Sequence, residues 1–196
     1  MVEQITTATA STGAPSAARD RILTTATALF TSTGIRAVGV DRLIAESNVA
    51  RATFFRHFPT KDDLVIAFLD AQAAETRRRL TATRERRGAR ALLDEIVSHA
   101  KAGMASEGFR GSEFINTAAE YSDPEHRVRG VVDRHRAWLR DVMADALREL
   151  GHPAPDAAAE VLLAMRTGAL VASSLEGFHD TEGVFDSVWW ALVDQR

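Results

Sequence analysis

The chain of 196 residues has no cysteine. Disulfides, thiolate metal sites, cysteine nucleophiles and thiol redox sensing are excluded together. Excess basic charge is also missing: 24 Lys and Arg stand against 27 Asp and Glu, giving a net charge of −3 and a pI near 6.1. The chain as a whole is therefore no simple polycation for nucleic acid. No run approaches the length of a membrane span, and no early segment joins basic residues to an apolar stretch, so a cytoplasmic protein without a membrane partner is expected. Gly-rich phosphate loops, nucleophile elbows and H-E-x-x-H are all absent, and the six histidines (His57, His99, His126, His135, His152, His179) nowhere pair at i+3 or i+4. The expectation is a non-enzyme with no metal site and no cofactor.

What remains is helical pattern. Apolar residues make up 45% and charged residues 26%, ordinary for a soluble globular chain, and the length suits one or two domains. The stretch from Arg21 to Leu64 organises the rest. In RDRILTTATALFTSTG, Ile22, Ala26, Leu29 and Phe30 fall on one helical face, and Gly34 follows where a left-handed residue is wanted. A short helix opens near Val40 and carries Leu43 and Ile44. Ser47-Asn48 breaks it, since Asn tolerates positive φ. A third helix runs from about Arg51 to Phe58, with Phe54 and Phe58 inward and Arg51, Ala52, Thr53, Phe55 and Arg56 outward. Pro59 ends it and Thr60 is placed to cap the next. Two short helices joined by a tight turn, the second with a cationic outer face, form a helix-turn-helix. From Pro15 to Ile66, seven basic residues exceed five acidic ones, so this segment is net positive on an acidic chain.

These residues resemble the DNA-binding domain of the tetracycline-repressor (TetR) family of transcriptional regulators. The resemblance is carried by Ile22-Leu23, Ala26, Leu29-Phe30, Gly34, Val40, Leu43, Val49, Thr53, Phe58, Lys61 and Leu64, and it covers roughly the first third of the chain. Three positions depart from the family pattern. Asn48 replaces the usual turn Gly, Ala50 replaces a capping Ser at a cost of about 1 kcal/mol, and Phe55 replaces a Tyr whose hydroxyl touches a phosphate. The resemblance implies a fold that is all-α, with an N-terminal three-helix headpiece (17–62) and a helical ligand-binding and dimerisation domain (63–196). About nine helices are expected in all. Residues 1–16, rich in Thr, Ala and Ser without helical period, are expected to form a flexible arm that makes no DNA contact, having no basic residue before Arg19.

After Pro59 a long helix continues to a dense basic run, Arg77 to Arg90, read as a solvated helix end; Gly88 marks a joint. A further helix follows to about Gly108, then a short one from Glu113 to Glu120. Asp123-Pro124 is read as cap and first residue of the next helix, which stops at Gly151, and Asp156 as cap of the one after it. Ala157, Val161, Ala164, Gly168 and Ala172 make a small-residue ridge, and of the adjacent Trp189 and Trp190 only one can face the chain's own core. Val161, Ala164, Gly168, Ala172, Trp189 and Trp190 are thus candidates for a homodimer interface, which a palindromic site requires.

Arg51, Ala52 and Thr53 are expected to face bases, and Arg42, Arg56, His57 and Lys61 to hold phosphates, with Thr53 placed to approach either and Phe55 on the same DNA-facing surface without a phosphate bond. A pocket for a small-molecule effector needs apolar lining with a few convergent polar groups. Met104, Phe109, Phe114, Asn116, Glu120, Tyr121, His135, Trp138 and Met165 supply that mixture. The expected function is a sequence-specific regulator, a repressor released from double-stranded palindromic DNA when an effector binds. The rival is a helical small-molecule carrier or scaffold that no longer reads DNA.

Overall fold

Apolar spacing resolves into helices in the computed structural model, which describes residues 16–176 and 182–195. Except for Ser16, the expected arm lies outside the described residues, as does His179. Among the described residues there is no strand, and the order is α1 (Ala17–Thr33), α2 (Val40–Ser47), α3 (Arg51–His57), α4 (Lys61–Met104), α5 (Glu113–Glu120), α6 (Arg127–Glu149), α7 (Pro155–Glu176) and α8 (Glu182–Val193). The count is eight where nine were expected, because α4 runs through the joint at Gly88. That residue has φ 81° and ψ −176°, a conformation open essentially to glycine alone, so α4 is two helical arms meeting at a non-helical residue.

The headpiece folds around Ile22, Ala26, Leu29 and Phe30 of α1, Leu43 of α2, and Phe54 and Phe58 of and just after α3, all buried. The first turns of α4 complete this core with Leu64, Val65, Phe68 and Leu69, and the Phe68 ring meets Phe30 edge-on at 5.5 Å. Asn48 holds the turn between α2 and α3 at φ 50°, ψ 51°, the left-handed geometry expected of it. Ala50 precedes α3 without a side-chain cap. Thr60 opens α4 with a full capping box: its hydroxyl accepts from the Asp63 amide, and the Asp63 carboxylate accepts from the Thr60 amide.

The headpiece core is not closed on itself. Phe114 of α5 and Val128, Val131 and Val132 of α6 belong to the same apolar cluster. A second cluster fills the body, from Leu92, Leu93, Ile96 and Val97 of α4 through Leu139, Met143 and Leu147 of α6 to Leu162 and Leu163 of α7 and Trp189 of α8. α7 has the length and mean hydropathy (1.3) to cross a membrane, but it packs between α6 and α8 with an apolar side buried in this core.

Three local expectations are corrected. Asp123-Pro124 does not start α6. Its carboxylate accepts from the Glu125 amide in a turn, and His126 caps the helix by accepting from the Val128 amide. Pro155 is the first helical residue of α7, so Asp156 sits inside the first turn, where it pairs with Arg148 at 3.0 Å. Gly34 has positive φ (94°) but ψ 153°, an extended and not a left-handed helical residue. Along the dense basic run Arg77, Arg78, Arg86, Arg87 and Arg90 are exposed, as a solvated stretch would be. Arg84 nonetheless reaches Glu149 of α6 and Arg90 reaches Asp194 just after α8, while Arg79 reaches Glu95 within α4.

Gly88→Ala places a Cβ in open space yet should lower unfolding stability by about 1–3 kcal/mol from backbone strain alone. Gly130→Ala, inside regular α6 and facing only the mobile tip of Arg134, should raise it by up to about 1 kcal/mol. Denaturant midpoints of the two variants should move in opposite directions.

Candidate nucleic-acid interface and its link to the body

α3 is a short helix with one face in the core and one in water. Phe54 is fully buried, while Arg51, Ala52, Phe55 and Arg56 are exposed. Phe55, 37% exposed, is held upright by an edge contact to Phe54 (5.5 Å) and lies under the Arg51 guanidinium (5.4 Å). Arg51 donates to Asp41 at 2.6 Å and Arg42 to Glu46 at 2.7 Å. Both ion pairs are solvent-exposed, so each is worth at most about 1 kcal/mol and is readily exchanged for a phosphate. Arg56 has no partner among the described residues and points into solvent. The surface thus combines cations, an alanine and an aromatic edge, which suits phosphate contacts beside base edges and thymine methyls.

The remaining candidates sit differently. Thr53 is half-buried. The His57 ring is within hydrogen-bond distance of the Ser16 hydroxyl (3.2 Å) and lines a cleft of about 560 Å³ with Arg19 and Phe58. Lys61 turns inward and donates to the Ile35 carbonyl at 2.6 Å. Burial holds its ammonium below the usual lysine value, although Glu120 and Asp62 pull the other way.

Lys61 stands at the edge of a polar joint between headpiece and body. The Glu120 carboxylate accepts from the Arg36 amide at 2.7 Å, and the Arg36 guanidinium donates back to the Glu120 carbonyl at 2.7 Å. Arg110 donates to the Ser32 carbonyl at 2.7 Å. On the other side, Tyr121 donates its hydroxyl to Asp62 (3.0 Å), and Arg127 bridges Asp63 (2.7 Å) and Thr60 (2.8 Å). Burial and the Asp62 carboxylate keep the Tyr121 phenol well above its ordinary pKa, so it stays a donor. Hydrogen bonds from Thr60 and Arg127 hold Asp63 below the usual carboxylate range.

This joint reassigns two expected pocket residues, since Glu120 and Tyr121 face the headpiece. Asn116 is exposed and donates to the Arg110 carbonyl at 2.8 Å. Met104, Phe109 and Met165 pack on the body core, Phe109 also lining an open cleft of about 720 Å³ against α1. Phe114, His135 and Trp138 do come together. Phe114 and His135 stack at 3.8 Å, and Trp138 lies 5.9 Å from His135. Sequence reasoning missed Arg36, Asp62, Arg110 and Arg127, whose partners are 59 to 84 positions away and leave no local pattern.

The outer side of α7 and α8 carries the apolar ridge. Val161 is 51% exposed, Ala164 and Gly168 are exposed, and Leu175, Val184 and Val188 extend the surface. The two tryptophans divide. Trp189 is wholly buried in the chain's own core and has no surface to give a partner, whereas Trp190 is half-buried beneath Arg90.

His135, 6% exposed, is pushed down to about pH 4, first by burial and then by Arg166 and Arg77. Its folded pKa lies below the unfolded value, so the unfolded chain takes up a proton first as pH falls. Stability should therefore decline between about pH 6.5 and pH 4, with His135 contributing on the order of 1–2 kcal/mol of that loss by pH 5. Urea melts against pH should show a shallower slope for His135→Gln.

Comparison with known proteins agrees with this architecture. A family profile described as bacterial regulatory proteins, tetR family, matches residues 22–68. No curated protein matches in sequence. A crystal structure of a TetR-family transcriptional regulator from Streptomyces coelicolor is 37% identical, with 90% of this chain and 94% of that one covered and a TM-score of 0.84. A TetR-type regulator from Streptomyces avermitilis (22% identity, 91% and 97% covered, TM-score 0.80) and the regulatory protein TetR from Rhodobacter sphaeroides (23%, 90% and 99%, 0.77) share the fold. With a relative more than a third identical over nearly its full length, the chain belongs to the TetR family of transcriptional regulators.

Proposed function

We propose that the protein is a cytoplasmic, homodimeric repressor that holds a palindromic operator and releases it when a small organic molecule binds the body. The observation that carries the DNA reading is the outer face of α3, where Arg51, Ala52, Phe55 and Arg56 stand exposed on a helix fixed by the left-handed turn at Asn48. Arg51 and Ala52, in the first turn, are placed for bases, and Arg56 and Arg42 for phosphates. Dimerisation is supported by the apolar ridge on α7 and α8, which as a free surface would expose Val161, Val184 and Val188 to water. The polar joint is the route by which the body positions each headpiece. An effector acts there only through unequal affinity for two headpiece spacings.

The carrier reading is favoured by one set of contacts: Arg42, Arg51 and Lys61 are already engaged within the chain. A gel shift on DNA from upstream of the protein's own gene, near physiological salt and with excess competitor, separates the two. A discrete band that resists competitor supports the repressor. Absence of binding both there and on a randomised palindrome library supports the carrier.

On the operator so found, Arg51→Ala should cost about 1–3 kcal/mol and relax preference at one base pair, as a base contact would. An equal loss on random DNA would make Arg51 a phosphate contact. Phe55→Tyr should tighten binding several-fold by adding a hydroxyl at the backbone. Glu120→Gln should speed hydrogen exchange of the Arg36 amide by about tenfold, since a charged acceptor is lost, while DNA binding persists.

A further inference from the structure

Arg51 of α3 is held in place before any DNA arrives. Its Nη1 donates to the Asp41 carboxylate at 2.6 Å, and its guanidinium carbon lies 5.4 Å from the centre of the Phe55 ring. Phe55 is itself steadied by an edge contact, at 5.5 Å, to the fully buried Phe54. Asp41 stands in the first turn of α2, ten positions back and across the Asn48 turn, so the clamp spans both helices of the motif. The pair stays open to solvent, with side-chain exposures of 67% for Arg51 and 86% for Asp41. One ring face and one Nη of the guanidinium are thus engaged, while Nε and Nη2 have no partner among the described residues. Those two nitrogens share one edge, and their N–H groups point the same way. They are the paired donors that match O6 and N7 of guanine.

We infer that Asp41 is a positioning residue that sets specificity: it turns Arg51 so that the free Nε–Nη2 edge meets a guanine, and it disfavours a phosphate in the same place. The inference rests on Arg51 being a base contact, as proposed above, and adds the base and the residue that selects it. Orientation comes from the clamp. A free arginine has much rotamer freedom, which a bidentate contact otherwise has to freeze out on binding. Selection comes from charge. A guanine edge is neutral, so Arg51 can grip it and keep Asp41. A phosphate drawn to the same guanidinium comes close to the Asp41 carboxylate, and the two anions repel. On nonspecific DNA, Arg51 therefore either gives up Asp41 or forgoes the phosphate.

The test is a double-mutant cycle on the full chain, using the operator from the gel shift, the same operator altered one base pair at a time, and random DNA. The base pair at which Arg51→Ala relaxes preference should be G·C, with guanine favoured by roughly tenfold or more in the unaltered protein. Asp41→Asn should raise affinity for random DNA several-fold, since an anion near the phosphates is lost. It should also cut the guanine preference by about threefold or more. In the Arg51→Ala background, Asp41→Asn should change affinity for all three DNAs by one common factor, because only its charge is then left to act. Asp41 is exposed, so the variants should keep the native Tm; Asp41→Ser serves if Asn disturbs α2. The inference is overturned if the Arg51 base pair is not G·C, if Asp41→Asn leaves its guanine preference intact, or if Asp41→Asn alters base preference equally without Arg51. A protein in which Arg51→Ala relaxes one position while Asp41→Asn changes nothing keeps the regulator reading and loses this one. A protein that binds no DNA loses both.

Discussion

Beside α4, which runs from the headpiece into the body, the two halves are held together by one packed seam. Phe114, Val128, Val131 and Val132 leave α5 and α6 to finish the headpiece core, so neither half buries its apolar surface alone. Around that greasy contact run the directional ones: Glu120 with Arg36, Arg110 with Ser32, Tyr121 with Asp62, and Arg127 with Asp63 and Thr60. Apolar burial supplies adhesion without direction, and charged hydrogen bonds supply register. A shift of α5 or the start of α6 therefore cannot be absorbed locally. It must drag the headpiece or break bonds whose geometry is fixed.

The same segment touches both ends of the proposed switch. Phe114 packs into the headpiece cluster and stacks on His135. Glu113, its neighbour, is the carboxylate whose field reaches Arg166, and Glu120, two turns on, clasps Arg36. α5 has only eight residues, about 12 Å of helix at 1.5 Å per residue, so both sets of contacts sit on one short element.

Local structure was legible where the chemistry is local. The bounds of α2, α3 and α5, the left-handed Asn48, the Thr60 cap and the Gly88 joint all follow from apolar spacing and from residues with special backbone preferences. The division between Trp189 and Trp190 followed from helical geometry alone. The failures share a different cause. Asp123-Pro124 reads as a helix start, but His126 offers a competing cap that lets the turn close first. Glu120 and Tyr121 look like pocket residues because an acid and a phenol amid apolar neighbours suit a pocket; their actual partners, Arg36 and Asp62, are distant in sequence. Arg79 and Arg166 were invisible for the converse reason. Arg79 lies in a charged run and Arg166 on an apolar helix, and only the fold reveals that the Nε of each is enclosed.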